Sequence, residues 1–147
     1  MDNNNENSDH TENYRWYRDR QGNPLALWIS GSYQPDHTLF LTPEHFFQQV
    51  GFVHRGKGGE IGAHLHTHHT RDIAGTSEFL FLRKGRVSVD LYSDGGERVS
   101  SFIMEENDIL LLVGGGHGFS FIEEGYFVEV KQGPYIGRSE KERIGKS

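Results

Sequence analysis

The most constraining feature of this sequence is a series of short apolar segments separated by glycine-rich turns, which fills its second half. Apolar and polar residues alternate over residues 77–82 and 86–92, and residues 109–113 are continuously apolar. Such alternation is typical of half-buried strands, and a short apolar run is typical of a fully buried strand. With 19 glycines in 147 residues, roughly twice the usual frequency, the sequence predicts an all-β protein of about nine strands, a sandwich or barrel.

Local patterns predict individual strands and turns. Residues 48–55, 119–122 and 126–131 are predicted as further strands. A hairpin turn at Lys84-Gly85 is predicted to join the strands 77–82 and 86–92, and Asp94-Gly95-Gly96 is predicted to form the next hairpin. Thr42-Pro43 predicts the start of a short turn that runs through Phe47.

The chain has the length of one ordinary domain. Residues 1–13 contain no apolar side chain after Met1 and predict a disordered tail. We therefore expect a single domain over residues 14–147. Only 34% of the residues are hydrophobic, but ten Phe, six Tyr and two Trp provide enough apolar area for a core.

Composition excludes several classes of function. The formal charge is −6 and the basic residues form no stripe, so we expect neither nucleic acid nor a membrane as a partner. The absence of cysteine excludes disulfides, thiolate ligands and a cysteine nucleophile. The sequence contains neither a long apolar run nor a signal-peptide pattern at its start, which predicts a cytoplasmic protein.

A histidine-rich stretch, residues 58–69, is the first candidate for chemistry. His64, His66 and His68 occupy alternate positions. If this stretch is a strand, the three imidazoles share one face, with alternate Cα atoms roughly 6.5–7 Å apart. Neighbouring rings on one face can bind a single metal ion. The alternative is a solvated loop that happens to be rich in histidine.

Two later residues are further candidates. Glu78 shares the parity of Leu80 and Leu82, so it is either a carboxylate that needs a buried partner or an exposed residue at a strand end. His117 follows the buried run 109–113 and three glycines, Gly114 to Gly116, which would let the backbone approach a ligand closely. Packing is the alternative explanation of His117.

The order of these residues resembles the first motif of the cupin superfamily. Gly58 is followed after five residues by His64-x-His66, and Glu78 is followed after six residues by Gly85. The connecting segment, residues 67–77, is longer than the family's.

The second cupin motif is matched more approximately. The chain has Asn107-Asp108, the apolar run 109–113, three glycines and His117. Asn107 stands in place of a glycine, a proline is missing, the histidine comes one residue early, and Phe121 stands where the family has Asn. The resemblance covers about residues 48–131 and is nearest to small bacterial single-domain cupins.

This resemblance implies a double-stranded β-helix, the cupin jelly-roll barrel, with one divalent metal ion in its mouth. Carried over residue by residue, the implied ligands are His64, His66, Glu78 and His117. His68 is a substitute for Glu78 or lies just outside the ligand set, and His69 points the other way. Nitrogen and carboxylate ligands without sulfur suit Fe, Mn, Ni, Co or Zn.

Five residues are candidates for contacting a small-molecule substrate or ligand. Arg71 could act as an anion clamp over the mouth, with a solvated loop residue as the alternative. Lys131 shares the parity of Glu129, so an exposed ion pair is its alternative role. The set is Gln49, Arg55, Arg71, Tyr92 and Lys131. Cupins commonly dimerise, and the aromatic residues of segment 14–29 look exposed, so we expect a homodimer.

Three functions remain open. The first is a metal-dependent cupin enzyme that oxygenates or isomerises a small polar molecule. The second is a non-catalytic module that binds a metal or small ligand. The third is a metal-independent enzyme similar to sugar-nucleotide isomerases and epimerases, in which His and Tyr act as acid and base.

Overall fold

The structure, a computed structural model, describes residues 9–145, which form two compact units. The first unit joins the residues up to Tyr33 with those from Thr76 onward, and the second unit is Gln34–Gly75. The single domain expected for residues 14–147 stays a prediction. The strands, in chain order, are β1 (Tyr14–Arg18), β2 (Pro24–Ile29), β3 (Leu39–Phe40), β4 (Gly51–Phe52), β5 (Glu78–Tyr92), β6 (Arg98–Met104), β7 (Ile109–Leu112) and β8 (Gly116–Lys131).

The all-β prediction is confirmed. Strands comprise 42% of the residues and helix 2%, the latter a single 3-10 turn at Arg138–Glu140. Among the described residues, no helix has the length and apolar character needed to cross a membrane. In the second unit, β3 and β4 form a two-stranded antiparallel sheet, and residues 43–48 form the predicted short turn, closed by a hydrogen bond from Phe46 N to Pro43 O of 3.0 Å.

The sheet of the first unit is antiparallel and strongly curled into a half-barrel. Its strand order is β1-β2-β7-β5-β6, and β8 pairs with the opposite edge of β5. β7 and β6 pair with successive parts of one edge of β5, Glu78–Phe81 and Val87–Tyr92, whereas β8 pairs with the other edge. Tyr17 of β1 stacks on Phe102 of β6, with ring centroids 4.5 Å apart. β1 and β6 therefore pack around a shared core.

The core lies on one face of this sheet, called the inner face below. β5 contributes Leu80 and Leu82 before its midpoint and Val87, Val89 and Leu91 after it, all at most 1% exposed. The buried positions change from even to odd numbers at the midpoint because bulges between Leu82 and Val87 shift the register against β8. The same face of a long, bent strand thus stays apolar throughout.

The predicted hairpin at Lys84-Gly85 is wrong, because β5 is one continuous strand. Gly85 has φ +99°. This conformation serves a bulge in the strand here and not a chain reversal. Residues 119–122 and 126–131, predicted as two strands, likewise form the single strand β8. Gly125 lies opposite the bulge, where any Cβ atom would collide with the Lys84 carbonyl oxygen. The glycines that suggested turns therefore bend the two-stranded ribbon formed by β5 and β8.

Two other expectations, on residues 48–55 and on segment 14–29, differ from the structure. The strand predicted for residues 48–55 is reduced to Gly51–Phe52. Trp16 and Tyr17, predicted to look outward, are 7% and 9% exposed because β1 packs into the sheet. Residues 1–8 of the predicted tail lie outside the described residues, whereas Asp9 binds Arg18 with an N–O distance of 2.8 Å.

Candidate functional site

Glu78 is the first residue of β5 and lies on the inner face, as its parity predicted. It is 9% exposed, and its register partners are Leu112 of β7 on one side and Lys131 of β8 on the other. A carboxylate in such surroundings is costly unless a donor pairs with it. The exposed strand-end alternative is therefore wrong.

The partner of Glu78 is His117, at the opposite end of the same ribbon. His117 pairs in register with Leu91, and 13 residues separate Leu91 from Glu78 (91 − 78), which is about 43 Å along a straight strand. Yet His117 Nε2 lies 3.2 Å from Glu78 Oε2. The bend at the bulges thus folds the ribbon over so that its two ends meet.

The environment stabilises the ionised form of Glu78. Its pKa is lowered, chiefly because His117 donates a hydrogen bond to the carboxylate and secondarily through the positive charges of Lys131 and Lys141, while burial opposes the shift. Lys131 itself forms an ion pair with Glu129, with Nζ and Oε1 3.3 Å apart. The pair is only partly covered, because the His117 side chain is 30% exposed and that of Glu78 11%.

The histidine-rich stretch is not a strand, which corrects the prediction for residues 58–69. Residues 53–77 contain no strand, and His64, His66, His68 and His69 are all exposed. Between the histidines the only large apolar side chain is Leu65, which is 96% exposed, so pairing this segment as a strand would bury little. The alternation in sequence therefore does not impose a common face.

Within the second unit, two of the implied ligands are nevertheless neighbours. The rings of His64 and His66 have centroids 5.1 Å apart and meet edge to face. Nδ1 of His64 lies 2.8 Å from the Gly62 carbonyl oxygen, and Nε2 of His69 lies 2.8 Å from Thr67 Oγ1. These contacts are local to the segment.

The predicted substrate-contacting residues are divided between the two units. In the second unit Gln49 is committed to a turn, since its amide binds Thr42 Oγ1 and three backbone carbonyls. Arg55 donates to Thr38 Oγ1 at 2.9 Å and Arg71 is exposed. In the first unit Lys131 lies beside Glu78, whereas Tyr92 pairs with Gly116 on the opposite face of the ribbon.

The donor chemistry of these side chains fits a nitrogen- and oxygen-liganded divalent ion. Glu78 and His117 converge in the first unit, and His64 and His66 in the second. Neither unit, over residues 9–145, gathers three or more His, Asp or Glu side chains in the arrangement of a metal site. Each unit therefore offers two donors of the right kind.

The glycines before His117 have a packing role. A Cβ at Gly114 would lie 2.7 Å from the Pro24 carbonyl oxygen. Gly115 has φ +60° and lies against the carbonyl oxygen of Tyr92. These glycines allow close approach of protein backbone, and the approach to a ligand stays a prediction.

Sequence reasoning missed contacts that form just before the start of β5. Thr76 Oγ1 donates to Glu140 Oε1 at 3.1 Å, and Gln132 Oε1 accepts from Ser77 N at 2.7 Å. No motif marks these residues, because their proximity arises only when the chain after β8 returns to the start of β5.

Comparison with protein-family models, with curated proteins and with solved structures found no significant match. The site must therefore be interpreted from its own geometry and from the sequence motifs.

Proposed function

We propose that this protein is a divalent-metal-binding cupin and an enzyme that acts on a small polar molecule by metal-dependent oxygenation or isomerisation. One observation carries the proposal. Glu78 and His117, the residues that the two motifs assign as ligands, are 39 positions apart in the sequence (117 − 78) but meet at 3.2 Å on the inner face of a half-barrel. In this proposal the half-barrel is part of a double-stranded β-helix, the cupin fold.

A second observation supports the approximate second motif. Asn107, which stands where the family has a glycine, adopts φ 72°. Asn is among the few residues that tolerate this left-handed conformation. Asn107 can therefore adopt the backbone conformation that a glycine would adopt at this position. The neighbouring residue, Asp108, accepts hydrogen bonds from Trp28 Nε1 at 2.9 Å and from Gly31 N at 2.8 Å.

In this proposal Glu78, His117, His64 and His66 hold the ion, the last two by resemblance alone, with His68 as the substitute. A bound divalent ion supplies Lewis acidity or an oxygen-binding position. Glu78 contributes a carboxylate that is ionised at neutral pH, since its pKa is lowered mainly by His117. Lys131 provides a positive charge that can orient an anionic group of the substrate.

Elemental analysis of untagged protein tests metal binding directly, and a stoichiometric divalent metal is expected. An ion at 100 times its Kd stabilises the folded state by about 2.7 kcal/mol, so added metal should raise the Tm. The double variant His64→Ala/His66→Ala and the variant His117→Ala should each lose this response. His69→Ala, to which no ligand role is assigned, is the matched control and should retain it.

Substoichiometric metal together with an unresponsive Tm in the native protein would reject the metal proposal. If metal is present, oxygen uptake with a panel of small polar substrates separates an oxygenase from an isomerase. Metal without any turnover would leave the non-catalytic binding module as the function.

A metal-independent acid–base enzyme is the second candidate, and a specific observation favours it. The His117 imidazole is held by a buried carboxylate and remains 30% exposed on its side chain, an arrangement that orients a histidine for proton transfer. Activity that survives chelation but is lost in His117→Ala would support this candidate over the first.

A further inference from the structure

Three phenylalanines of β8 lie on the inner face of the half-barrel, because each pairs in register with a buried residue of β5. The three pairs are Phe119–Val89, Phe121–Val87 and Phe127–Leu82. All three β5 partners are 0% exposed, and residues that lie directly opposite each other in paired strands share a face. His117 lies on the same face, opposite Leu91. The phenylalanines therefore extend along β8 from the Glu78–His117 pair.

The rings of these residues contact one another in sequence. The ring centroids of His117 and Phe119 are 5.3 Å apart, those of Phe119 and Phe127 are 5.2 Å apart, and those of Phe127 and Phe121 are 5.6 Å apart. The planes meet at 43°, 55° and 65°, which are tilted arrangements at the distances that favour aromatic contacts. We call Phe119, Phe127 and Phe121 the aromatic row.

The aromatic row is only partly covered by the core. Phe119 and Phe127 pack against the core and are partly buried, whereas Phe121 is 49% exposed. Apolar surface that stays exposed beside a few polar groups is characteristic of ligand-binding surfaces. The aromatic row therefore offers a flat apolar ring a place to pack next to the Glu78–His117 pair.

The polar end of the row indicates what the rest of the ligand carries. Lys131 lies opposite Glu78 in register, and its ammonium group uses one donor on Glu129 at 3.3 Å, out of three. The side chains of His117 and Lys131 are 30% and 27% exposed. A carboxylate is the group that pairs best with such donors. Because His117 is adjacent to Phe119, the carboxylate and the ring must be directly joined.

We propose that the aromatic row is the substrate subsite of this protein and that the substrate is a small aromatic acid, a single ring with an attached carboxylate. The ring packs against Phe119 and Phe121, and the carboxylate lies beside His117 and Lys131. This inference rests on the proposed function, because it places the substrate at the Glu78–His117 pair. Phe121 then determines specificity by contacting the ring.

The test measures the affinity of the full-length, untagged protein for three carboxylates by NMR titration. Benzoate carries the ring and the head group, cyclohexanecarboxylate carries a saturated ring, and acetate carries the head group alone. Benzoate should bind at least about tenfold more tightly than acetate, because its ring covers apolar surface. It should bind about threefold more tightly than cyclohexanecarboxylate, because aromatic rings attract each other beyond their buried area.

Phe121→Ala should weaken benzoate binding about fivefold and leave acetate binding unchanged. Val128→Ala is the matched control, since Val128 is 43% exposed and follows Phe127 on the opposite face of the same strand. It should keep the affinity for benzoate within about twofold. If Phe121→Ala does not fold, Phe121→Leu retains apolar volume without the ring and should weaken benzoate binding about threefold.

Equal affinity of the native protein for benzoate and acetate would overturn the subsite, as would benzoate binding that does not depend on Phe121, or no benzoate binding at all. These results are separable from those on the metal. Benzoate binding that depends on Phe121 in a protein without stoichiometric metal would reject only the metal proposal. Stoichiometric metal together with benzoate binding that is the same in Phe121→Ala would reject only the subsite.

Discussion

Glu78 and the histidine-rich segment lie in the stretch of sequence that resembles a single motif, yet the structure places them in opposite environments. Glu78 begins a 15-residue strand and is 9% exposed. His64 and His66 lie in an exposed segment without a strand. Both regions alternate in sequence, so alternation alone does not explain the difference.

The difference lies in what each region has to bury. The residues that share a face with Glu78 are Leu80 and Leu82, which lie between two neighbouring strands and are at most 1% exposed. The positions that alternate with the histidines provide only Ala63, Leu65 and Thr67. Burying one leucine contributes roughly 1.5–3 kcal/mol, less than the conformational entropy of ordering a strand of that length. A strand forms where apolar residues and a partner coincide.

The largest expected effect compares one leucine from each region. Leu82→Ala should lower the free energy of unfolding by about 2–5 kcal/mol, because it leaves a cavity in a closed core. Leu65→Ala, at a position 96% exposed, should change it by no more than about 0.5 kcal/mol. Urea unfolding measures both. A comparable loss in Leu65→Ala would mean that the histidine-rich segment is packed in solution.

An intermediate effect concerns the pH dependence of the Glu78–His117 pair. The pKa of Glu78 is lowered in the folded state, chiefly by His117. The ionised carboxylate therefore stabilises the folded state above the carboxyl pKa of the unfolded chain, and this stabilisation is lost as the pH falls through the lowered pKa of the folded state. Between pH 7 and about 3, the native protein should lose about 1–2 kcal/mol more stability than Glu78→Gln.

This pH effect is measured by urea unfolding of both proteins across that range. Other acidic groups are the same in the two proteins and cancel in the difference. Parallel stability curves for the native protein and Glu78→Gln would show that the pair does not form.

The smallest effect concerns the histidines in the absence of divalent ions. His64→Ala and His66→Ala should each change the free energy of unfolding by no more than about 0.5 kcal/mol, because both side chains are exposed. Thermal unfolding in a chelator measures this. A loss above about 1 kcal/mol in chelator would mean that these rings stabilise the fold without metal, which would weaken the contrast with Glu78.

Much of the first unit could be predicted from the sequence because it depends on local properties. The alternation around Leu80, the apolar run from Ile109 and the turn at Asp94-Gly95-Gly96 correctly indicated β5, β7 and the connection from β5 to β6. Parity placed Glu78 on the same face as two leucines, whereas the sequence left open whether its carboxylate is buried or exposed at a strand end. These features follow from the two-residue period of an extended chain and the cost of exposing leucine.

Other features were accessible only in three dimensions. A glycine with positive φ serves equally in a reversal and in a bulge, so the sequence could not decide that Gly85 bends one strand instead of joining two. The contact between Ile144 and Gly116 was equally hidden, since the two residues are 28 positions apart (144 − 116) and no motif connects them.

The sequence by itself therefore determined the all-β class, the positions of the buried strands and the face that Glu78 shares with Leu80 and Leu82, because each depends on the chemistry of residues close together in the chain. Only the tertiary structure decided that Glu78 meets His117 at 3.2 Å and that the histidine-rich segment does not form a strand. Both outcomes depend on which distant segments supply a partner and on the curl of the sheet, which are properties of the whole packed unit.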